Sequence, residues 1–152
     1  MDPSKRSPML RRLRARLAEY DDVFENLAED FGGELDRDYH NQIARDIDLP
    51  GTDGITRSIQ LTVILANPDV PADARNWKFD LTMTAWKDVA DDRLVWSKDI
   101  RQFKRLPPKE SLRKLIEDAA RELKQVKRSD LVSADKSLFP TASGYQAVLP
   151  SG

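Results

Sequence analysis

The sequence contains no cysteine and only one histidine among its 152 residues. Without cysteine the chain forms no disulfide, offers no thiolate nucleophile and builds no cysteine metal site. The lone His40 excludes a zinc site made of several histidines, and its polar neighbours are typical of a solvated side chain. The motifs GxxxxGKS/T, GxGxxG and HExxH are also absent. We therefore assign no catalytic residue and predict a protein without enzymatic activity, cofactor or small-molecule substrate.

Long hydrophobic runs are missing as well. No segment approaches the length of a membrane span, and the basic N-terminal stretch MDPSKRSPMLRRLRAR is not followed by an apolar core of signal-peptide length. The lack of cysteine suits a reducing compartment. Together these features predict a cytoplasmic protein with no membrane span.

Acidic residues are plentiful, but their spacing matches no metal motif. Asp36 and Asp38 suggest the start of a calcium-binding EF-hand loop. The sixth and twelfth positions of such a loop hold Asn41 and Ile47 here, where glycine and glutamate are required. We therefore predict no metal site.

The net charge of −1 hides a strong segregation along the chain. Residues 1–17 carry a net +5, residues 18–50 a net −9 and residues 103–128 a net +5. Local electric fields are therefore a better guide to binding partners than the overall charge.

Three successive stretches alternate between apolar and polar residues, which predicts β-strands at about 55–66, 77–88 and 93–103. Such alternation is typical of an antiparallel sheet with one buried face and one solvated face. We expect the outer, polar face to be solvated. It would carry Ser58, Gln60, Thr62, Ile64, Lys78, Asp80, Thr82, Thr84, Trp86, Ser97, Asp99 and Arg101.

Apolar residues spaced by three and four predict a helix over residues 8–31, which Gly32-Gly33 would end. This stripe either packs on the sheet or, in part, forms an intermolecular coiled coil or docks in the groove of a partner. A second stripe predicts a helix over 107–128, beginning at Pro107-Pro108. The first stripe consists of Leu10, Leu13, Leu17, Tyr20, Phe24, Leu27 and Phe31.

Two stretches are less regular. Residues 42–49 alternate weakly and predict a further strand hairpinned to the next one, with a short helix through Tyr39 and Ile43 as the alternative. Residues 129–152 form a C-terminal tail that is either flexible or wrapped around its own domain or a partner. Residues 1–128 are then one α+β domain. Its architecture is a two-layer sandwich, in which an antiparallel sheet of three or four strands carries the N-terminal and C-terminal helices on one face.

These features favour a non-enzymatic protein-protein interaction module that binds a protein partner or itself. An adaptor, an assembly factor or a subunit of a larger bacterial or viral complex would fit. Trp86 stands out because a large aromatic residue on a polar face is a typical interface anchor. The candidate protein-binding residues are Trp86 and Ile64 on the outer face, Leu10 and Leu13 in the first helix, and Phe139 and Tyr145 in the tail.

The alternative is a nucleic-acid-binding module. If four strands separate the two helices, the helices run antiparallel and their basic residues form one pole that can contact phosphates. With three strands the helices run parallel, and their basic residues no longer form one pole. The residues concerned are Arg11, Arg12, Arg14, Arg16, Lys124, Lys127 and Arg128.

Overall fold

The computed structural model of the protein describes residues 8–38, 42–65, 77–134, 138–141 and 144–147. No helix in these ranges is long and apolar enough to cross a membrane. A 3-10 turn at Arg128–Asp130 follows the last helix. The helices are α1 (Pro8–Ala18), α2 (Asp21–Phe31) and α3 (Lys109–Lys124). The strands are β1 (Glu34–Arg37), β2 (Ala44–Leu49), β3 (Thr56–Leu65), β4 (Trp77–Val89), β5 (Asp92–Phe103), β6 (Val132–Ala134), β7 (Leu138–Thr141) and β8 (Gly144–Ala147).

The first six strands form one antiparallel sheet in the order β1-β2-β3-β4-β5-β6, and β7 pairs with β8 in a separate hairpin. The predicted α+β class with an antiparallel sheet is confirmed. The predicted size of three or four strands is wrong, because β1 and β6 extend the sheet at its two edges. With four and three residues, these edge strands are too short to show a period in the sequence.

The hydrophobic core lies between the apolar face of the sheet and the helices. Leu61 of β3 and Leu81 of β4 face each other in the centre of the sheet and are fully buried. They belong to one cluster with Leu27 of α2 and Ile116 of α3. Helix α2 contacts β1 and β2, while α3 contacts β3 and β4. The helices therefore cover one face of the sheet and leave the polar face on the other side.

The stretch predicted as one long helix is two helices in the structure, with Glu19 and Tyr20 between them. The Tyr20 amide donates to the Leu17 carbonyl oxygen at 3.0 Å, and the Tyr20 hydroxyl donates to the carbonyl oxygen of Pro107 at 2.6 Å. The apolar stripe continues across the break, because Leu17, Tyr20 and Phe24 are all buried. Spacings of three and four residues fit both arrangements, so the pattern could not reveal the break.

The weakly alternating stretch before residue 50 forms β2, which pairs with β3 as the alternation predicted. Ile43, which the alternative placed in a helix, lies just before β2, and its carbonyl oxygen accepts a hydrogen bond from the Val63 amide at 2.9 Å. Tyr39 and His40 lie outside the described residues. In the C-terminal stretch, β6 pairs with β5 and therefore belongs to the sheet.

Two arginines on the helix side of the sheet are nearly fully buried. Arg45 of β2 donates to Asp21 of α2 at 2.6 Å. Arg57 of β3 donates to the carbonyl oxygens of Leu123 and Val126, at the C-terminal end of α3, at 3.2 and 2.7 Å. Each guanidinium thus joins a helix to the sheet through charge-assisted hydrogen bonds.

Candidate functional site

The outer face of the sheet, opposite the helices, is acidic. Cross-strand pairing aligns its side chains in rows, because directly paired residues point to the same side of a sheet. One row runs across five strands, and a second row lies beside it. The first row contains Asp36, Asp46, Gln60, Thr82 and Asp99, and the second contains Glu34, Asp48, Ser58, Thr84 and Ser97.

The centre of this outer face is buried, so the expectation of a solvated face is wrong there. Six polar residues on β3 and β4 are each less than a tenth exposed. These are the two central strands of the sheet, and each of their side chains has neighbours on both flanking strands. The six residues are Ser58, Gln60, Thr62, Asp80, Thr82 and Thr84.

Several buried polar atoms on the outer face have no hydrogen-bond partner among the described residues. They are Thr62 Oγ1, Asp80 Oδ1 and Thr82 Oγ1 near the centre, and Asp46 Oδ1 near the β1 edge. Burial, and then the nearby carboxylate of Asp99, raise the pKa of Asp80 to about 6 against the opposing effect of a hydrogen bond from Gln102. Unsatisfied buried polar atoms are rare in folded proteins and frequently mark a functional site.

Four carboxylates meet at the β1 edge, and we call them the acidic grid: Glu34, Asp36, Asp46 and Asp48. Glu34 is paired directly with Asp48, and Asp36 directly with Asp46. One carboxylate oxygen from each of Asp36, Asp46 and Asp48 lies within 4.8 Å of the other two. Burial, and then the carboxylates of Asp48 and Asp36, raise the pKa of Asp46 to about 8. Oxygen ligands arranged in this way are those that hard divalent cations bind.

At the opposite side of the sheet, β5 has an open edge. Strand β6 pairs only with residues 93–95 of β5, and within the described part of the chain residues 96–103 have no strand partner on that side. The pairing of β5 with β4 is interrupted by a β-bulge at Ile100, because Leu81 pairs with Arg101 while Thr82 pairs with Asp99. Backbone donors and acceptors on an open edge can pair with another extended chain.

A groove of about 190 Å³ lies between this open edge and α3. Its apolar lining comes from the sheet and from the helix, and four charged side chains complete the lining. Lys98 donates to Glu122 across the groove at 2.6 Å. In the groove the ammonium of Lys98 faces the carboxylates of Asp118 and Glu122, whereas the carboxylate of Asp99 lies near Asp80 on the outer face. The apolar residues are Met83, Ile100, Leu115 and Ala119, and the charged ones are Lys98, Asp99, Asp118 and Glu122.

The structure places the candidate protein-binding residues in different surroundings. Trp86 and Ile64 are partly buried on the outer face, and the guanidinium of Arg93 lies over the Trp86 ring at 4.6 Å. Leu10 is buried in the core and Leu13 packs against it, so both serve the fold. Phe139 and Tyr145 belong to β7 and β8. A binding role for these two side chains, which lie outside the described part of the structure, stays a prediction.

The basic residues of the predicted pole are not gathered at one place. Arg16 donates to the Tyr20 hydroxyl, which in turn contacts Pro107, so Arg16 lies near the start of α3. Lys124 is the last residue of α3, about 24 Å away along a helix of this length. Arg14 also contacts the Asp38 carboxylate at 3.3 Å, which balances part of its charge. Arg11 and Arg12 are exposed on α1, and Lys127 and Arg128 are exposed beyond the end of α3.

Neither the groove nor the acidic grid was found from the sequence. The grid combines residues from two strands, and its first strand was not predicted. The sequence signal that could have indicated the grid is two pairs of acidic residues at alternate positions, 34 and 36 in the first pair and 46 and 48 in the second. Comparison of the chain with protein-family models, with curated proteins and with solved structures gave no match.

The pKa of Asp80 predicts a dependence of stability on pH. The folded-state pKa of this carboxyl group is raised to about 6. Its favourable contribution to the free energy of folding is therefore complete only below about pH 4, the ordinary pKa of an aspartate in the unfolded chain. Its contribution is lost as the pH rises through 6, because the buried carboxylate must ionise. We expect Asp80→Asn to unfold at higher urea concentration than the natural protein at pH 8, by on the order of 2 kcal/mol in free energy. At pH 4 the two proteins should be nearly equal.

The control for this measurement is Asp91→Asn, which changes an exposed carboxyl group in the β4–β5 turn. It should leave the pH profile of the unfolding free energy unchanged. A constant difference between Asp80→Asn and the natural protein from pH 4 to pH 8 would show that the carboxyl group of Asp80 does not carry this dependence.

Proposed function

We propose that the protein is a non-enzymatic interaction module of the cytoplasm that binds an extended segment of a partner protein along the open edge of β5. The observation that carries this proposal is the stretch of residues 96–103 beside the groove, which has no strand partner on its outer side within the described residues. Eight residues of strand span about 26 Å, enough to pair with a peptide of similar length. Addition of a strand to an open sheet edge is a common mode of peptide recognition.

The groove supports this proposal because it provides selectivity for side chains. Alternate residues of an added strand point to one side, and here that side faces Leu115 and Ala119 of α3. An apolar side chain would contact these residues. A lysine or arginine next to it would meet the carboxylates of Asp118 and Glu122. The partner segment is therefore expected to alternate and to carry at least one basic residue.

The charges on the edge strand also support a selective partner. Ser97, Lys98 and Asp99 are exposed, and the bulge at Ile100 distorts the edge. Charges and bulges of this kind discourage indiscriminate pairing between sheets. A segment whose own charges complement those of Lys98 and Asp99 would overcome this barrier.

Selection from a phage-displayed library of random eight-residue peptides tests this function. Peptides with a basic residue and alternating apolar residues should be enriched. Their binding should be lost in the double variant Asp118→Lys/Glu122→Lys and kept in the matched control Glu110→Lys/Glu29→Lys, which reverses exposed carboxylates outside the groove. In the bound protein, amide hydrogen exchange should slow within residues 96–103, because their backbone groups become paired.

Three outcomes would contradict the proposal. The first is that no peptide is enriched. The second is that the enriched peptides bind equally to the groove variant and to the control, which would place their site elsewhere. The third is that the chain alone forms a dimer in which the exchange of residues 96–103 is already slow, so that a second copy occupies the edge.

Trp86→Ala, measured in the same assay, tests whether the ring on the outer face anchors a partner.

A further inference from the structure

The acidic grid is an unfavourable arrangement as a bare protein surface. Like charges directly opposite each other on paired strands destabilise a sheet. Two such pairs lie side by side here, Glu34 with Asp48 and Asp36 with Asp46. Within the described residues, none of the four carboxylates forms an ion pair with an arginine or a lysine. The two arginines adjacent to the grid in the sequence pair elsewhere: Arg37 contacts Asp21 and Glu25, and Arg45 contacts Asp21 and Asp38.

Asp46 provides a second and separate indication. Its side chain is buried, with the residue only 5% exposed, and its Oδ1 atom has no hydrogen-bond partner in the part of the chain that the structure describes. A buried carboxylate normally has several partners, because removing it from water without them is costly. Here one of its oxygens faces the oxygens of Asp36 and Asp48. A cation between the three groups would satisfy Asp46 and remove the repulsion at the same time.

The distances and the ligand type identify the cation class. Calcium binds oxygen ligands at 2.3–2.6 Å, so two ligands on opposite sides of the ion are about 4.8 Å apart. The three carboxylate oxygens lie within 4.8 Å of one another. Magnesium binds oxygen ligands at 2.0–2.1 Å, which also fits within this limit, so the oxygen ligands assign a hard divalent cation. Among the described residues the cluster offers only oxygen ligands, which argues against zinc.

The residues around the three carboxylates orient them and can supply further oxygen ligands. The hydroxyl of Ser58 donates to Asp48 Oδ1 at 2.5 Å and orients that carboxylate. Gln60, buried on β3, is paired directly with Asp46 and has an amide oxygen of the kind calcium accepts. Asp36 and Glu34 are exposed, so an ion can enter from solvent and retain water ligands.

The geometry points to a site for a hard divalent cation such as calcium, formed by Asp36, Asp46 and Asp48 with Glu34 at its rim. Bound calcium joins β1 to β2 and offsets the negative charge of this edge. The site is independent of the peptide-binding edge, which lies on the opposite side of the sheet.

Thermal unfolding of the full chain, first in EDTA and then in calcium, tests the site. Calcium at a hundredfold excess over its dissociation constant should raise the unfolding temperature by about 5–10 °C. Asp46→Asn, which removes one carboxylate from the site, should lose the response to calcium. Asp36→Asn, at an exposed position, should weaken calcium binding in isothermal titration by at least about tenfold.

Asp91→Asn, in the exposed β4–β5 turn, is the control and should respond to calcium as the natural protein does. The proposal is overturned if millimolar calcium changes neither the unfolding temperature nor the titration heat. It is equally overturned if Asp46→Asn and Asp36→Asn keep full affinity, since the ion would then bind elsewhere.

Discussion

Replacing Arg57 by methionine is expected to lower the free energy of unfolding by about 4 kcal/mol. The guanidinium of Arg57 donates to Leu123 O and Val126 O at the end of α3 and to both oxygens of Asp53 at 3.0 and 2.8 Å. Methionine fills a similar volume but donates no hydrogen bond. The variant would remove the arginine donor from the buried Val126 carbonyl group and would remove a positive charge from the negative end of the helix dipole.

Two further variants separate the contributions in this contact. Arg57→Lys keeps the charge but cannot make the forked set of hydrogen bonds, so we expect a loss of stability between those of the natural protein and the methionine variant. Asp53→Asn should have a smaller effect than Arg57→Met, because the guanidinium retains both carbonyl groups. Urea unfolding followed by circular dichroism measures all three. A methionine variant as stable as Asp53→Asn would show that Arg57 does not hold α3 to the sheet.

Gly33→Ala is expected to lower the free energy of unfolding by about 3 kcal/mol. A Cβ atom at Gly33 would lie far inside van der Waals contact of the Asp48 carbonyl oxygen. That oxygen cannot move away easily, because Asp48 is paired with Glu34 on one side and with Ser58 on the other. The added methyl group would therefore push β1 away from β2. The same displacement should weaken the calcium response of the acidic grid.

The neighbouring Gly32→Ala is the matched control. Gly32 has a left-handed backbone with a φ of 68°, but a Cβ atom there would meet only the ring of Pro50, at 4.0 Å. Its expected loss is about 1 kcal/mol, from backbone strain alone. Both variants are compared by thermal and urea unfolding. If Gly32→Ala is the more damaging of the two, the close approach at Gly33 is not the dominant constraint.

The two proposed sites can be tested separately, because they lie at opposite edges of one sheet. The acidic grid lies on β1 and β2, and the open edge lies on β5. Peptide selection in EDTA excludes any contribution of a divalent cation. Calcium titration without peptide excludes any contribution from peptide binding in the groove. A negative result at one edge therefore leaves the proposal for the other edge intact.

Local patterns were sufficient for much of the fold. The alternation through Ile59, Leu61 and Val63 predicted a strand because the period of two is a property of a single strand and of the face it buries. Gly32 indicated the end of a helix because only a residue without a side chain easily adopts its left-handed conformation. The two predicted helical stripes are buried for the same reason, since burial of an apolar face drives their packing.

The acidic grid and the open edge with its groove could not be predicted from such local patterns. Asp36 and Asp46 are ten positions apart in the sequence, and they meet only because β1 and β2 pair in one particular register. Within the described residues, the edge of β5 at residues 96–103 is open because β6 begins only at Val132, opposite Val95, after the 3-10 turn at Arg128–Asp130. The groove also needs the bulge at Ile100 and the placement of α3. None of these features follows from the periodicity of one segment.

By itself the sequence determined the antiparallel sheet, its apolar face and the helices that cover this face, because each depends on where one segment places its own apolar side chains. Only the tertiary structure decided that the polar face is buried at its centre, that four carboxylates meet at one edge and that the other edge stays open. These features depend on the register and extent of pairing between strands, which are set by the packing of the whole sheet against α2 and α3.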